Sequence, residues 1–475
     1  MTKKLNLTII LIILVYGYLS AQNSGTTIFG TNKEYAGKYL EFFSYNERMF
    51  DTYEILAKTK VDSAGNFTVT LELSETQLIF CKTLLYKAYI YAEPGKSYQV
   101  NLPPSAIKSE ENINNPFFSA PLWHMIPTSE PSASKPDLNT SIYEFDKQFD
   151  PFLDKQILRY YDLERSRHKL DSFKLAISHF AVPDKNGYFS AYCIYKLACL
   201  DFIVKGFSQT DLFERYLKDK LARPDVSSWW EFFNMYFDGY FSSLSLKKEF
   251  SQLYSIIGKG SYYELNQLLK TDPALQNDQM REWVLLKEIH NAYYGNNLPL
   301  STYLSLSDSL SATSHDKITV ALSKDLRKEV VSLLPGNDPP AALLMNSGGD
   351  TMQITSQTRK YSYIGFCSLN SIECQQEFEY LKYFYHKHGK YLNVVIILPE
   401  TEKDLIRSFT DENTIPWEFW YSIDREQIQK DYKVRAYPVF YLFDRDNKIL
   451  MSPATLPSAG FEQQLFKILK SKGEV

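Results

Sequence analysis

The chain has 475 residues, enough for two or three hydrophobic cores, and a formal charge of −4. A mildly acidic chain with no basic stripe excludes the electrostatics of a nucleic-acid binder. Aromatic residues make up 15% of it, with 35 Tyr and 31 Phe, which reads as large aromatic cores; a sugar- or peptide-binding face is the alternative, and the sequence places none.

Met1 to Lys4 form a short basic segment, residues 5–18 are almost wholly apolar, and Ala21 precedes Gln22. The pattern predicts a secretory signal peptide over residues 1–21, too short for a comfortable membrane span. No cysteine follows the apolar stretch, which disfavours the lipoprotein route; an uncleaved anchor is the other reading. Removing Lys3 and Lys4 with the leader takes the charge from −4 to −6. The expectation is an exported protein of the periplasm or cell envelope, with no integral membrane segment after leader removal.

Residues 22–104 alternate with period two over 26–29, 38–43 and 66–73. A turn at 61–66 and another at Pro94 and Gly95 separate strand-like runs. A small antiparallel β-sandwich is expected, then a linker over 105–137. From 138 to 334 the pattern turns helical, with an amphipathic run from Tyr143 to Leu153 and more buried runs at 173–180 and 192–204. No fixed repeat period stands out. Five cysteines (Cys81, Cys193, Cys199, Cys367, Cys374) leave at least one unpaired within a monomer. Cys193 and Cys199, six residues apart on a helix, face different ways, so buried free thiols are the natural account. Pro335, Gly336, Pro339 and Pro340 break the helices and open a last domain over 335–475.

In that domain residues 361–367 read as a buried strand followed by a polar turn. Cys374, Phe378, Leu381 and Tyr385 then recur at the i, i+4, i+7, i+11 spacing of one helix face. A second buried strand covers 392–398. Residues 434–450 run proline, strand, a tight turn at Asp446 and Asn447, and a strand back. The order strand, helix, strand, helix, hairpin, helix is that of a thioredoxin fold, so the whole chain reads as multidomain α+β with a C-terminal α/β domain.

In detail this stretch resembles the TlpA-like thiol-disulfide interchange proteins of bacterial envelopes, over roughly the last third of the chain. That family ends a strand in Phe-Trp, opens a helix with Trp-Cys-x-x-Cys, and places a Glu three residues past the second cysteine. Phe366 falls on the Phe and Cys367 on the Trp after it. Asn370 takes the second Trp position, Ser371 the first cysteine, Cys374 the second and Glu377 the glutamate. The pair Tyr437 and Pro438 matches the family's cis-proline, which faces the cysteines. Residues 341–353 resemble the hairpin before the first central strand. Residues 22–104 resemble the β-domain that often precedes such a domain.

The resemblance implies a redox scaffold, and Ser371 breaks its chemistry. The family's first cysteine is the nucleophile, its thiolate favoured by the positive end of the helix dipole. A serine has no comparable anion near neutral pH and forms no mixed disulfide; its ordinary work at a helix start is capping. Any surviving activity would be that of an atypical thiol-disulfide oxidoreductase using Cys374, alone or with Cys367, the catalytic dithiol being no longer intact. Glu377 either tunes Cys374 or is a first-turn glutamate favoured by the dipole, and the second is expected. His386 and His388, at i and i+2, face different ways and complete no metal site; no cofactor is expected.

Three functions stay open. The first and favoured one is a redox-inactive binding or scaffold protein, its groove near Pro438 holding an envelope protein or an extended peptide by main-chain pairing. The second is the atypical oxidoreductase. The third is an accessory component of a surface uptake assembly, in which the β and helical regions do the work.

Overall fold

The computed structural model describes residues 25–474, apart from 50–51, 110–111, 113–117, 129–136, 158–162, 182–186, 205–206, 295–298, 355–359, 400–401, 423–424 and 435. The leader expected over 1–21 lies outside the described residues. No helix among them is long and apolar enough to cross a membrane. The chain divides into two compact units, residues 1–256 with 263–288, and residues 257–262 with 289–475.

The first unit opens with β1 (Thr26–Thr31), β2 (Tyr39–Glu47), β3 (Thr52–Lys60), β4 (Asn66–Leu71), β5 (Gln77–Lys82), β6 (Lys87–Ala92), β7 (Ser97–Gln99) and β8 (Leu122–His124). They form a three-stranded sheet in the order β4-β1-β7 and a five-stranded sheet in the order β3-β2-β5-β6-β8. Alternate residues from both enter one core, with Ile28, Phe67 and Val69 from the first sheet and Phe42, Ile79 and Ile90 from the second. The pairing is not the purely antiparallel one expected, since β1 pairs with β7, and β6 with β8, in parallel. Neither pair is joined by a hairpin, which is what lets the strands run the same way. Strand β8 also lies inside the stretch read as a linker over 105–137.

Helices α1 (Leu138–Ile157), α2 (Leu163–Ile177), α3 (Tyr188–Ile203), α4 (Gln209–Tyr216), α5 (Ser227–Tyr236), α6 (Tyr240–Ser245), α7 (Leu253–Lys259), α8 (Tyr262–Leu269) and α9 (Asp278–Tyr294) follow. Asn139 ties α1 to the sheet. Its Oδ1 accepts the Tyr91 N–H at 2.8 Å and its Nδ2 donates to the Tyr91 carbonyl at 2.9 Å. The side-chain amide thereby satisfies backbone groups of β6 as a neighbouring strand would. Trp229, packed at 5.2 Å on Phe233 and 5.4 Å on Trp283, builds the aromatic core that the composition implied. Asp201, fully buried, is held by Lys174 and by the Tyr216 hydroxyl at 2.6 Å, with Arg215 at 3.5 Å.

The second unit contains α10 (Leu300–Thr313), α11 (Lys317–Val331), β9 (Leu343–Asn346), β10 (Thr351–Gln353), β11 (Tyr361–Phe366), α12 (Ile372–His388), β12 (Leu392–Leu398), α13 (Ile406–Asn413), β13 (Phe419–Ser422), α14 (Arg425–Asp431), β14 (Val439–Phe443), β15 (Ile449–Ala454) and α15 (Phe461–Ser471). One sheet runs β10-β9-β13-β12-β11-β14-β15. Strands β11 and β12 are parallel, and β14 and β15 are antiparallel to their neighbours. The run β12-β11-β14-β15, with α12 as the crossover and α15 after the hairpin, is the thioredoxin-like arrangement expected of the C-terminal part. Alternation along β11 sends Tyr363 into the core shared with Phe378, Leu381 and Phe461, and Ile364 and Phe366 into the opposite one with Tyr432 and Tyr441. Gly365 sits where a Cβ would come within 2.4 Å of Phe440 and 2.8 Å of Ile396, so the strand tolerates no side chain there.

The break at 335–340 is not the edge of this unit, which takes in α10 and α11. Leu333, just past α11, is buried in the same core as Leu344 and Ile364. Gly336 N–H donates to the Ile449 carbonyl at 2.7 Å, and Ile449 N–H to the Asn337 carbonyl at 2.9 Å. The prolines therefore mark a turn stitched to β15, not a linker.

Candidate functional site

Strand β11 delivers the chain to the start of α12, and the site is what lies at that junction. Ser371 is the N-cap residue, with extended backbone; its Oγ accepts the Cys374 N–H at 3.3 Å and donates to the Glu373 carboxylate at 2.9 Å. The hydroxyl at the family's nucleophile position is thus occupied by capping. Cys374, in the first turn, is buried in the core that also holds Tyr363, Phe378 and Phe440.

The structure brings Cys367 and Cys374 together. Both are free thiols and both are 0% exposed, so no bulky disulfide substrate reaches either. Cys367 S–H donates to Cys374 Sγ, which also accepts the Ser368 N–H at 3.3 Å. That Cys367 hydrogen bond, helped by Ser371 and Ser368, holds the Cys374 thiol below the ordinary cysteine range, although burial and the Glu402 charge push the other way. Burial drives the Cys367 thiol well above that range, and donation to Cys374 adds to it.

Glu377 is not the first-turn glutamate expected; the first-turn acid is Glu373. Glu377 lies one turn further on and is buried, its carboxylate accepting the Ser458 N–H at 2.9 Å and the Ser458 hydroxyl at 2.5 Å. It fastens the segment before α15 to α12. The Tyr437–Pro438 bond is cis, and Pro438 directly precedes Val439, which pairs with Phe366 at the end of β11. The Tyr437 hydroxyl accepts Gln429 Nε2 at 2.6 Å. A cavity of about 250 Å³ beside the start of α12 is walled by Ile372, Gln376, Phe378, Phe409 and Ile415, and neither Tyr437 nor Pro438 lines it. His386 is exposed and His388 reaches Glu462 at 3.0 Å, so the two histidines do diverge.

Glu402 is the residue that sequence reasoning missed. It is buried, and its carboxylate accepts the Ser368 hydroxyl at 2.6 Å, the Leu369 N–H at 2.6 Å and Asn370 Nδ2 at 3.2 Å. One carboxylate, 33 residues from Leu369 in sequence, thus fixes the whole turn between β11 and α12. Nothing local in the sequence signals it, because its partners are two backbone-adjacent polar residues and an amide N–H that every loop possesses. Chemically the site is a rigid, capped helix start over a sealed pair of thiols.

No family model matches the chain, and no curated protein matches it. Solved structures similar to parts of it include the thioredoxin domain of a thiol-disulfide oxidoreductase from Bacteroides vulgatus, with 16% identity over 29% of this chain and 99% of that one and a TM-score of 0.26. A protein from Chlorobium tepidum described as a thiol:disulfide interchange protein DsbE is 24% identical over 29% of this chain and 98% of its own, with a TM-score of 0.26. A thioredoxin-like protein from Bacteroides caccae is 16% identical, covering 50% of this chain and 93% of that one, with a TM-score of 0.31.

Proposed function

We propose that the chain is an exported envelope protein whose thioredoxin-like domain binds a partner and does not cycle a dithiol. The observation that carries this reading is where sulfur and oxygen lie. The accessible helix start offers a hydroxyl already engaged in capping, while both sulfurs are fully buried. Exchange needs a thiolate that can reach a substrate disulfide in line, and burial denies that approach. An extended peptide or a protein segment at the end of β14, beside Pro438, would bind through main-chain groups, for which no thiol is required. The test is insulin-disulfide reduction by the wild-type protein and by Ser371→Cys. The expected result is background activity in the first and new exchange activity in the second. Wild-type turnover comparable with that of an intact two-cysteine relative would overturn the reading.

One observation favours a second reading, the contact between Cys367 and Cys374. An external oxidant could draw two protons and two electrons from the pair and leave a Cys367–Cys374 disulfide, a buried couple without an exchange partner. Thiol counting on unfolded protein before and after mild oxidation separates the readings. Loss of this pair as an intramolecular bond supports the couple, and an unchanged count removes it.

A further inference from the structure

The first unit holds a second candidate site, unrelated to the thiols. A cavity of about 510 Å³ lies between the outer face of the five-stranded sheet and helices α1, α3 and α5. This is the size range of a small-molecule pocket. Its walls follow from simple spacing rules. Lys87, Tyr89 and Tyr91 alternate along β6 and so share one face. Asp146 and Asp150 on α1, and Tyr192 and Lys196 on α3, are i, i+4 pairs; Trp230 and Asn234 repeat that step on α5. Each element therefore turns one stripe toward the same space.

We propose that this cavity binds a neutral saccharide of one or two pyranose rings. Three features of the walls point to that class. Tyr45 and Tyr89, the partly exposed aromatic residues of the lining, offer apolar surface to the C–H face of a sugar, with the buried rings of Phe80, Tyr91 and Trp230 behind them. Between them stand both donors and acceptors for hydroxyl groups, with Lys196 held by Glu231 at 2.7 Å and Asp146 held by the Tyr192 hydroxyl at 2.9 Å. Asn234 Oδ1 is buried and, among the described residues, has no hydrogen-bond partner, a state that a ligand hydroxyl would relieve.

Charge decides between a sugar and an ionic ligand. Three carboxyl groups, on Asp146, Asp150 and Glu231, are set against the three cations of Arg48, Lys87 and Lys196, so the mixed lining has no strong sign with which to select an anion or a cation. The cations are also engaged. Lys87 donates to the Tyr45 hydroxyl at 2.6 Å and lies 4.0 Å over the Phe80 ring, Arg48 stacks 4.9 Å over Tyr45, and Lys196 has Glu231. An amphipathic, uncharged ligand rich in hydroxyls fits such walls better than a phosphate, a carboxylate or an amine.

The test is titration calorimetry on the full-length mature protein with glucose, galactose, mannose, N-acetylglucosamine, maltose, cellobiose and lactose as probes. Thermal denaturation with and without sugar provides a second readout. At least one of these sugars is expected to bind and to raise the melting temperature. Asn234→Ala and Asp150→Asn should each weaken it by about tenfold or more, the worth of one hydrogen bond to a ligand hydroxyl. Asp308→Asn in the other unit should leave the affinity unchanged. Asp150 is exposed, so its variant reports on binding and not on folding. Heat-free titrations with all seven sugars, affinity indifferent to both wall substitutions, or preferential binding of a zwitterionic dipeptide would each overturn the proposal.

Discussion

Replacing Asp146 with asparagine should tilt the pH dependence of stability, and burial sets the sign. Burial pushes the Asp146 carboxyl up to about 7; Asp150 and Glu231 add to this, while Lys196 and the Tyr192 hydroxyl oppose it. The unfolded chain releases the same proton near the ordinary value of about 3.9. Between these two values the folded state binds more protons than the unfolded one, so the contribution is complete below about pH 4 and fades as pH rises through about 7. Three units at about 1.4 kcal/mol each give a ceiling of about 4 kcal/mol. Water reaching the cavity wall should cut this to roughly 2 kcal/mol. Asparagine keeps an acceptor for the Tyr192 hydroxyl and has no proton to lose. The stability of Asp146→Asn minus that of wild type should therefore climb from about pH 4 to about pH 7 and level off above it. Urea denaturation at a series of pH values measures it, and Glu288, whose carboxyl burial also raises to about 7, cancels in the difference. Parallel curves for the two proteins would refute the reasoning.

Asp201→Ala leaves Lys174 and the Tyr216 hydroxyl without their buried acceptor and should cost about 3–5 kcal/mol in a denaturant melt. Gly365→Ala forces a methyl onto Phe440 and Ile396 and should cost at least about 1–3 kcal/mol, read as a lowered melting temperature. Glu402→Gln removes a charged acceptor from Ser368 and Leu369 and should cost about 1–3 kcal/mol, with faster exchange of the Leu369 amide as its signature. An amide as protected as before would show that the carboxylate does not hold the turn.

Elements whose signal is local were legible in the sequence. The helix face of Cys374, Phe378 and Leu381 is buried as its spacing implied, and Tyr385 packs at the margin of the same core. Strands β11 and β12, apolar on both faces, lie centrally in their sheet. Strand β3 escaped because a register shift between Ala57 and Ile55 breaks its alternation, leaving Glu54 and Lys58 on opposite faces, and β8 because three residues are too few to show a period. The purely antiparallel pairing failed because strand direction depends on how connections travel, which no single strand records. The capping by Ser371 followed from residue type and place alone. Glu402 and the large cavity did not, since the first acts across 33 residues and the second draws its walls from β2, β5, β6, β8 and three helices.

At Asn139 a single atom decides whether the first helix stays on its sheet. An aspartate in its place would lack the donor that meets the Tyr91 carbonyl and would put a carboxylate at a place fully closed to water. The amide can serve there because it is at once donor, acceptor and uncharged, and no other side chain of that size is all three.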